Sequence, residues 1–363
     1  MPQYSHLQKV AIAVQPLARS LLPERIRAFL GNRLFSPPDG KRRMELLMDV
    51  VGSCNLRCPS CPVGNIGKIN QTGKTDVSVF QDIIAKADDN YAIYRVSLYN
   101  WGEPLLHPQL PQLIKIVKDR NLYCALSSNL NVLRNEDAIL AENPDELRIS
   151  LSGFSQATYE KTHTRGDLER VKSNMTRLAE AKNKASRRNS TRIDVYYHKY
   201  RHNLDEIEPM KEFALSLGFN WMENWAYYMP LEKVFQFAEG TLSEAELTFV
   251  QAQIALPMSE ALREARQFAH EPCRLWSEQI VLDYQGNAAL CCSVFDLKAN
   301  KLGFFLDMTP EDLMAAKADH PTCKKCTSHG IHRYGEYYDH PVLRPAYERL
   351  ISSNIPESAR VDV

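Results

Sequence analysis

From residue 44 to about residue 225, apolar positions switch repeatedly between a strand period and a helix period. The run 44–51 is mostly apolar and reads as a buried strand. Residues 76–88 follow as a helix, with Val79, Phe80, Ile83, Ile84 and Ala87 on one face. The alternation continues with strands at 95–99, 123–127, 146–151, 192–197 and 221–225. Helices lie between them at 110–118, 137–142, 168–184 and 204–217. About six strand–helix units in this order imply an α/β fold, a parallel sheet with helices outside. Ligands of such sheets sit at the carboxyl ends of the strands.

The flanks read differently. Residues 17–34 form an amphipathic pattern in which Arg19, Arg25, Arg27 and Arg33 stand among leucines. Pro23 and Glu24 interrupt it, which favours a helix packed on the core over one lying on a membrane. Residues 243–255 and 258–268 read as helices on either side of Pro257. A hairpin follows, 279–283 and 288–290, around Tyr284-Gln285-Gly286-Asn287, and a last helix covers 343–351.

Composition narrows the function. Hydrophobic residues make up 44% and charged residues 24%, as in an ordinary soluble enzyme. Acids and bases balance at 44 each, so no broad basic field invites nucleic acid. No apolar run approaches the ~20 residues that span a bilayer, and Gln3, His6, Gln8 and Lys9 break any signal-peptide core. A cytoplasmic protein with no membrane insertion is expected. Nine cysteines are many for such a protein unless they hold metal, and eight of them fall in two groups.

The first group is Cys54-Asn-Leu-Arg-Cys58-Pro-Ser-Cys61, directly after the first strand. Three thiolates at this spacing can hold three irons of a [4Fe–4S] cube and leave the fourth open to a chelating ligand. Zinc would want a fourth ligand nearby, and none follows closely. The stretch resembles the signature of the radical S-adenosylmethionine (radical SAM) family. The resemblance implies a partial (β/α)6 barrel, a cluster on Cys54, Cys58 and Cys61, and SAM bound to the open iron.

The end of the second strand, Tyr99-Asn100-Trp101-Gly102-Glu103-Pro104, resembles the family's GGEP motif with Trp101 in place of the first glycine. That likeness implies that Gly102, Glu103 and Pro104 bind the SAM ammonium group. Ser127 and Asn129, and then Ser150 and Ser152, stand where relatives carry residues for the SAM carboxylate and ribose. Helix caps and turns are the alternative reading of each. An arginine often follows in the family. His163 matches by spacing, but Arg165 is preferred because a guanidinium binds a carboxylate bidentately. Ser60 stands where relatives carry an apolar residue against adenine.

Aromatic and polar residues crowd the expected open end of the barrel. Tyr99, Trp101, His198, Lys199, Tyr200, Asn224, Trp225 and Tyr227 are the substrate candidates. The second cysteine group, Cys273, Cys291, Cys323 and Cys326, has the C-x12-G-x4-C and C-x2-C spacings of a four-thiolate site, which zinc would also satisfy. Its resemblance to the SPASM/twitch extension implies one auxiliary [4Fe–4S] cluster. Cys292 and Cys124 are left over as candidate hydrogen-atom donors.

The expected domains are a helical extension (1–43), the barrel (44–229), a helical connection (230–270), the auxiliary cluster domain (271–335), and a helix and tail (336–363). The resemblance implies SAM cleavage to a 5′-deoxyadenosyl radical and an electron donor such as flavodoxin or ferredoxin. No dedicated peptide-binding domain precedes the barrel, so a small carbohydrate-like substrate is expected, oxidised or epimerised. Radical modification of a peptide or protein, and a non-enzymatic metal scaffold, are the alternatives.

Overall fold

The computed structural model describes residues 40–65, 72–185, 189–336 and 340–355. The helix expected at 17–34 lies outside them. Helices of at least five residues are numbered in chain order. The barrel runs β1 (Arg43–Met48), α1 (Val77–Asn90), β2 (Ala92–Ser97), α2 (Leu110–Asp119), β3 (Cys124–Ser128), α3 (Glu136–Ala141), β4 (Glu146–Leu151), α4 (Leu168–Lys184), β5 (Arg192–Lys199), α5 (Ile207–Ser216) and β6 (Asn220–Trp225). Neighbouring strands among these six pair in parallel. The expected alternation is therefore present.

Strand ends differ where polar side chains intervene. β1 stops at Met48 because the next residue, Asp49, accepts backbone N–H groups from the loop after β2 instead of continuing as strand. β2 lies three residues earlier than its pattern suggests at the start, and Tyr99 falls beyond its end. α1 starts where it does because Asp76 caps it, accepting from Ser78 N–H at 2.8 Å and Val79 N–H at 3.3 Å.

Beyond the barrel come α6 (Leu231–Ala238), α7 (Glu244–Gln253), α8 (Met258–Arg266), α9 (Arg274–Glu278), β7 (Gln279–Leu282), β8 (Asn287–Ala289), β9 (Lys301–Phe304), α10 (Pro310–Ala318), α11 (Pro321–Ser328), α12 (Ile331–Gly335) and α13 (Leu343–Asn354). The hairpin does not stand apart. β7 pairs in parallel with β1, Leu46 opposite Ile280 and Met48 opposite Leu282, and all four side chains are buried. β8 and β9 then add antiparallel, giving one nine-stranded sheet in the order β6-β5-β4-β3-β2-β1-β7-β8-β9. The Asp283 carboxylate shapes the turn by accepting from Gln285 and Asn287 N–H at 2.9 and 2.8 Å.

Strand alternation divides the barrel into two faces. On β4, Leu147, Ile149 and Leu151 are fully buried against the helices. Glu146, Arg148, Ser150 and Ser152 take the opposite, inner face. That polar row carries the chemistry described next.

Candidate active site

Cys54, Cys58 and Cys61 share one loop at the carboxyl end of β1. The loop is pinned by Cys61 N–H donating to Cys58 C=O at 3.0 Å and Arg57 N–H donating to Thr164 C=O at 2.9 Å. Burial and the neighbouring Cys61 and Cys54 sulfurs push the Cys58 thiol well up. Burial, with the Glu103 charge second, pushes Cys54 up to about 12. The three sulfurs therefore sense one another. A bound cation would reverse this preference and draw out thiolates.

The loop after β2 lies against this one. Asp49 Oδ1 accepts three successive N–H groups, from Asn100, Trp101 and Gly102, at 2.9, 2.9 and 2.8 Å. Burial pushes the Asp49 carboxyl up to about 6, while these three donors oppose the shift. Gly102 meets the β1 end so closely that a Cβ there would lie 1.9 Å from Val51 C=O. Glu103 N–H donates to Ser53 C=O at 3.0 Å. Its carboxylate is buried and accepts from Leu105 and Asn129 N–H at 3.1 and 2.9 Å. Asn129 Nδ2 lies 3.5 Å from Cys54 Sγ and 3.1 Å from Asn55 Oδ1. The ends of β1, β2 and β3 thus bring together Cys54, Glu103 and Asn129. Pro104 opens a buried 3₁₀ turn behind them.

Residues 48–214 match the radical SAM superfamily. The matching stretch runs from the end of β1 into α5. GTP 3′,8-cyclase of Chlorobaculum tepidum is 27% identical over 132 residues, 36% of this chain and 39% of that protein. The tungsten-containing aldehyde ferredoxin oxidoreductase cofactor-modifying protein of Pyrococcus furiosus is 26% identical over 110 residues, 30% of each. The chain spans less than half the length of these relatives. Streptococcus suis SuiB bound to S-adenosylmethionine superposes with a TM-score of 0.53 at 14% identity, covering 86% of this chain and 84% of that one. AnSMEcpe with bound AdoMet gives 0.51 at 15%, covering 86% and 99%. These two likenesses speak for the fold. The radical SAM superfamily implies SAM and a [4Fe–4S] cluster that binds it.

Within the matching barrel the serines take two settings. Ser127 and Ser150 face each other across the inner face, Oγ to Oγ 3.4 Å. Ser152 is fully buried, hydrogen-bonded to Thr162 and, at 2.8 Å, to His163 Nδ1. Arg165 stands on a turn. Its backbone has φ 71° and its side chain is exposed, whereas His163 is buried and stacks on Tyr159 at 4.5 Å. The turn that exposes Arg165 is the one that encloses His163. Burial, with His198 second, pulls the His163 imidazole down to about 3, so it is neutral at ordinary pH.

The substrate candidates divide as well. Tyr99 lies beside Arg95 and Arg148, His198 feels the Arg148 charge, and Tyr227 feels both Cys292 and Arg148. Asn224 is opposite His198 in the ladder and shares its face. Lys199 and Trp225 belong to the opposite strand face, with Lys199 3.1 Å from Glu223 and over the Trp225 ring at 4.5 Å. Trp101 turns toward the β8–β9 side, donating to Val294 C=O at 3.1 Å. Tyr200 is buried with its hydroxyl beside Ser60, near Cys58 and Cys61. An aromatic side chain therefore does reach the cluster loop, though from just after β5 and not from position 60.

Cys273, Cys291, Cys323 and Cys326 line one cavity of about 430 Å³. Cys273 precedes α9, Cys291 follows β8, and Cys323 and Cys326 lie one turn apart on α11. Among the described residues, no three His, Cys, Asp or Glu side chains are grouped closely enough to hold a single metal ion. Four thiols around a cavity suit the four corners of a cubane cluster. Lys317 and His332 line the same cavity. Lys317 is fully buried on α10, donating to Gln279 C=O at 2.5 Å. Burial pulls its ammonium down to about 8, opposed by the surrounding thiols. Both ring nitrogens of His332 are buried without a hydrogen bond among the described residues.

The leftover cysteines separate. Cys124 is buried at the entering end of β3, its N–H on Asp145, at the opposite end of the strand from Asn129 and the Cys54 loop. Cys292 senses Glu45, on the inner face of β1, and Tyr227. Among the described residues no helix is long and apolar enough to cross a membrane.

Proposed function

We propose that this radical SAM enzyme removes a hydrogen atom from a small, carbohydrate-like molecule held on the inner face of the barrel, leading to oxidation or epimerisation. The observation that carries this reading is the convergence of Cys54, Glu103 and Asn129 at the open ends of β1, β2 and β3. When bound, SAM on the first cluster supplies a 5′-deoxyadenosyl radical, and a cluster on the second cysteine set supplies an electron acceptor. Cys54, Cys58 and Cys61 would hold the first, and Cys273, Cys291, Cys323 and Cys326 the second. Glu103 offers the SAM ammonium a buried acceptor, and the inner tyrosines shield the reacting carbon from water.

Oxidation is favoured, because the four-cysteine cavity is available for an acceptor. Cys292 is the donor candidate that fits the epimerisation outcome. The test is turnover in deuterium oxide, with sugars and aminocyclitols screened by mass spectrometry in the presence of SAM and dithionite. A product two hydrogens lighter is expected. Solvent deuterium fixed on the product carbon, and lost in Cys292→Ala, would replace oxidation by epimerisation. Products found only on added peptides would replace the small-molecule reading.

The Glu103→Ala variant should bind SAM more weakly by roughly 1.5–3 kcal/mol, the usual worth of a hydrogen bond to a charged group. Isothermal titration on reconstituted protein checks this. Unchanged affinity would remove Glu103 from the SAM site.

A further inference from the structure

The inner face of the barrel carries three carboxylates and three guanidiniums, and they are not evenly matched. Glu146 is claimed from several sides. It accepts from Arg95 Nη1 and Nη2 at 3.0 and 2.9 Å, from Arg192 Nη2 at 2.7 Å and from the Tyr123 hydroxyl at 3.1 Å. Asp194 accepts from Arg192 Nε at 2.7 Å and Asn220 at 2.8 Å. Glu45 accepts from Ser97 at 2.8 Å and lies 3.3 Å from Arg95 Nε. Arg95 and Arg192 are thereby satisfied.

Arg148 is left short. Among the described residues its one hydrogen bond is a 3.5 Å contact from Nη2 to the already crowded Glu146 Oε1. Its Nε is buried with no partner among the described residues. An uncompensated buried donor is costly, more so when charged. The side chain is nonetheless fixed. The guanidinium lies 3.8 Å from the Tyr196 ring centre and 5.8 Å from that of Tyr99. Rings against its face leave its edge, where the N–H fork points, for a planar bidentate partner.

The side chain is reachable in part. Arg148 keeps 25% of its side chain exposed, and Ser150, Tyr196 and His198 on the same inner face are also only half-buried. Their outward neighbours Leu147, Ile149 and Val195 are fully buried. The inner face is therefore partly open around a charged, under-paired arginine. Arg148 stands one inward position below Ser150, beneath the open end where Cys54 and Glu103 meet.

We propose that Arg148 anchors an oxyanion group of the substrate, a carboxylate or a phosphate, paired bidentately with its guanidinium. The proposal deepens the reading of the inner face as the substrate chamber. It names an anionic small molecule as the substrate class, with Arg148 as a binding and specificity residue.

The test uses the full chain without SAM turnover, so it stands whether or not the proposed reaction is found. Inorganic phosphate and acetate are titrated separately into wild-type protein and into Arg148→Gln and Arg148→Lys. At least one anion should bind wild type and bind Arg148→Gln at least tenfold more weakly, with part of the affinity restored in Arg148→Lys. Preference for phosphate would indicate a phosphorylated substrate, and preference for acetate a carboxylate-bearing one. In wild type alone, the preferred anion should slow phenylglyoxal modification of Arg148, read by peptide mass, so a variant that fails to fold does not spoil the test. Equal binding to wild type and Arg148→Gln, or no protection of Arg148, overturns the proposal.

Discussion

Replacing Cys54, Cys58 and Cys61 together by alanine should abolish SAM cleavage while leaving about half of the iron in place. Anaerobically reconstituted wild-type protein is expected to hold about eight irons, two cubes of four, and the variant about four. The expectation rests on the separation of the two cysteine sets. The first three thiols occupy one loop after β1, coupled to one another. The other four line a cavity framed by α9, α11 and the segment after β8. No cysteine is shared between them, so losing one set leaves the other's ligands intact. Iron analysis with electron paramagnetic resonance of the reduced variant reads the result. Tightly bound zinc in the variant, in place of iron, would show that Cys273, Cys291, Cys323 and Cys326 form a zinc site.

The second large effect is expected at a position with no titratable group. Gly102→Ala should lose measurable SAM binding and destabilise the protein by about 3 kcal/mol, near the upper end for overpacking. The added methyl would lie 1.9 Å from Val51 C=O and 3.3 Å from Asp49 Oδ1. Neither can move cheaply. Val51 precedes the cluster loop by three residues, and Asp49 holds the three N–H groups of the turn. Relief of the clash must push the Glu103 loop away from the cysteine loop. Gly218→Ala makes the contrast. Its Cβ meets nothing within 4 Å, so only its φ of 74° is at stake, about 1–2 kcal/mol, with SAM affinity unchanged. Chemical denaturation and SAM titration of both variants measure the difference. A Gly102→Ala protein that binds SAM normally would show that the two loops are not mechanically joined.

Much of this site was legible in the sequence because its parts are local. The C-x3-C-x2-C loop and Gly102-Glu103-Pro104 are short segments, each at a strand end that hydrophobic periodicity locates. The polar wall was written there too, as the period-two pattern Glu146-Leu-Arg148-Ile-Ser150-Leu. Its meaning depends on which residues of β2 and β5 lie opposite, and register is not a local property. The settings of Arg165 and His163 were hidden for a related reason: residue chemistry says nothing of which way a turn faces, and the left-handed backbone at Arg165 is not written in the pattern. Lys317 carried no signal. A lysine among alanines reads as solvated, and only the packing of α10 over the four-cysteine cavity buries it.

β1 is held on one side by β2 and on the other by β7, whose partner residues come far downstream: Glu45 pairs with both Arg95 and Gln279. During synthesis, the strand that opens the barrel therefore has a bare backbone edge until most of the chain has emerged. Contacts between residues so distant in sequence form slowly, and an unpaired strand edge is a template for wrong partners. A chain ended before Gln279 would lose more than four cysteine ligands. It would leave the strand beneath the SAM loop as an open edge, prone to joining the same edge of a second copy. The hairpin that carries Cys291 is thus also the seal on the barrel, and cluster assembly and protection from aggregation arrive with the same stretch of chain.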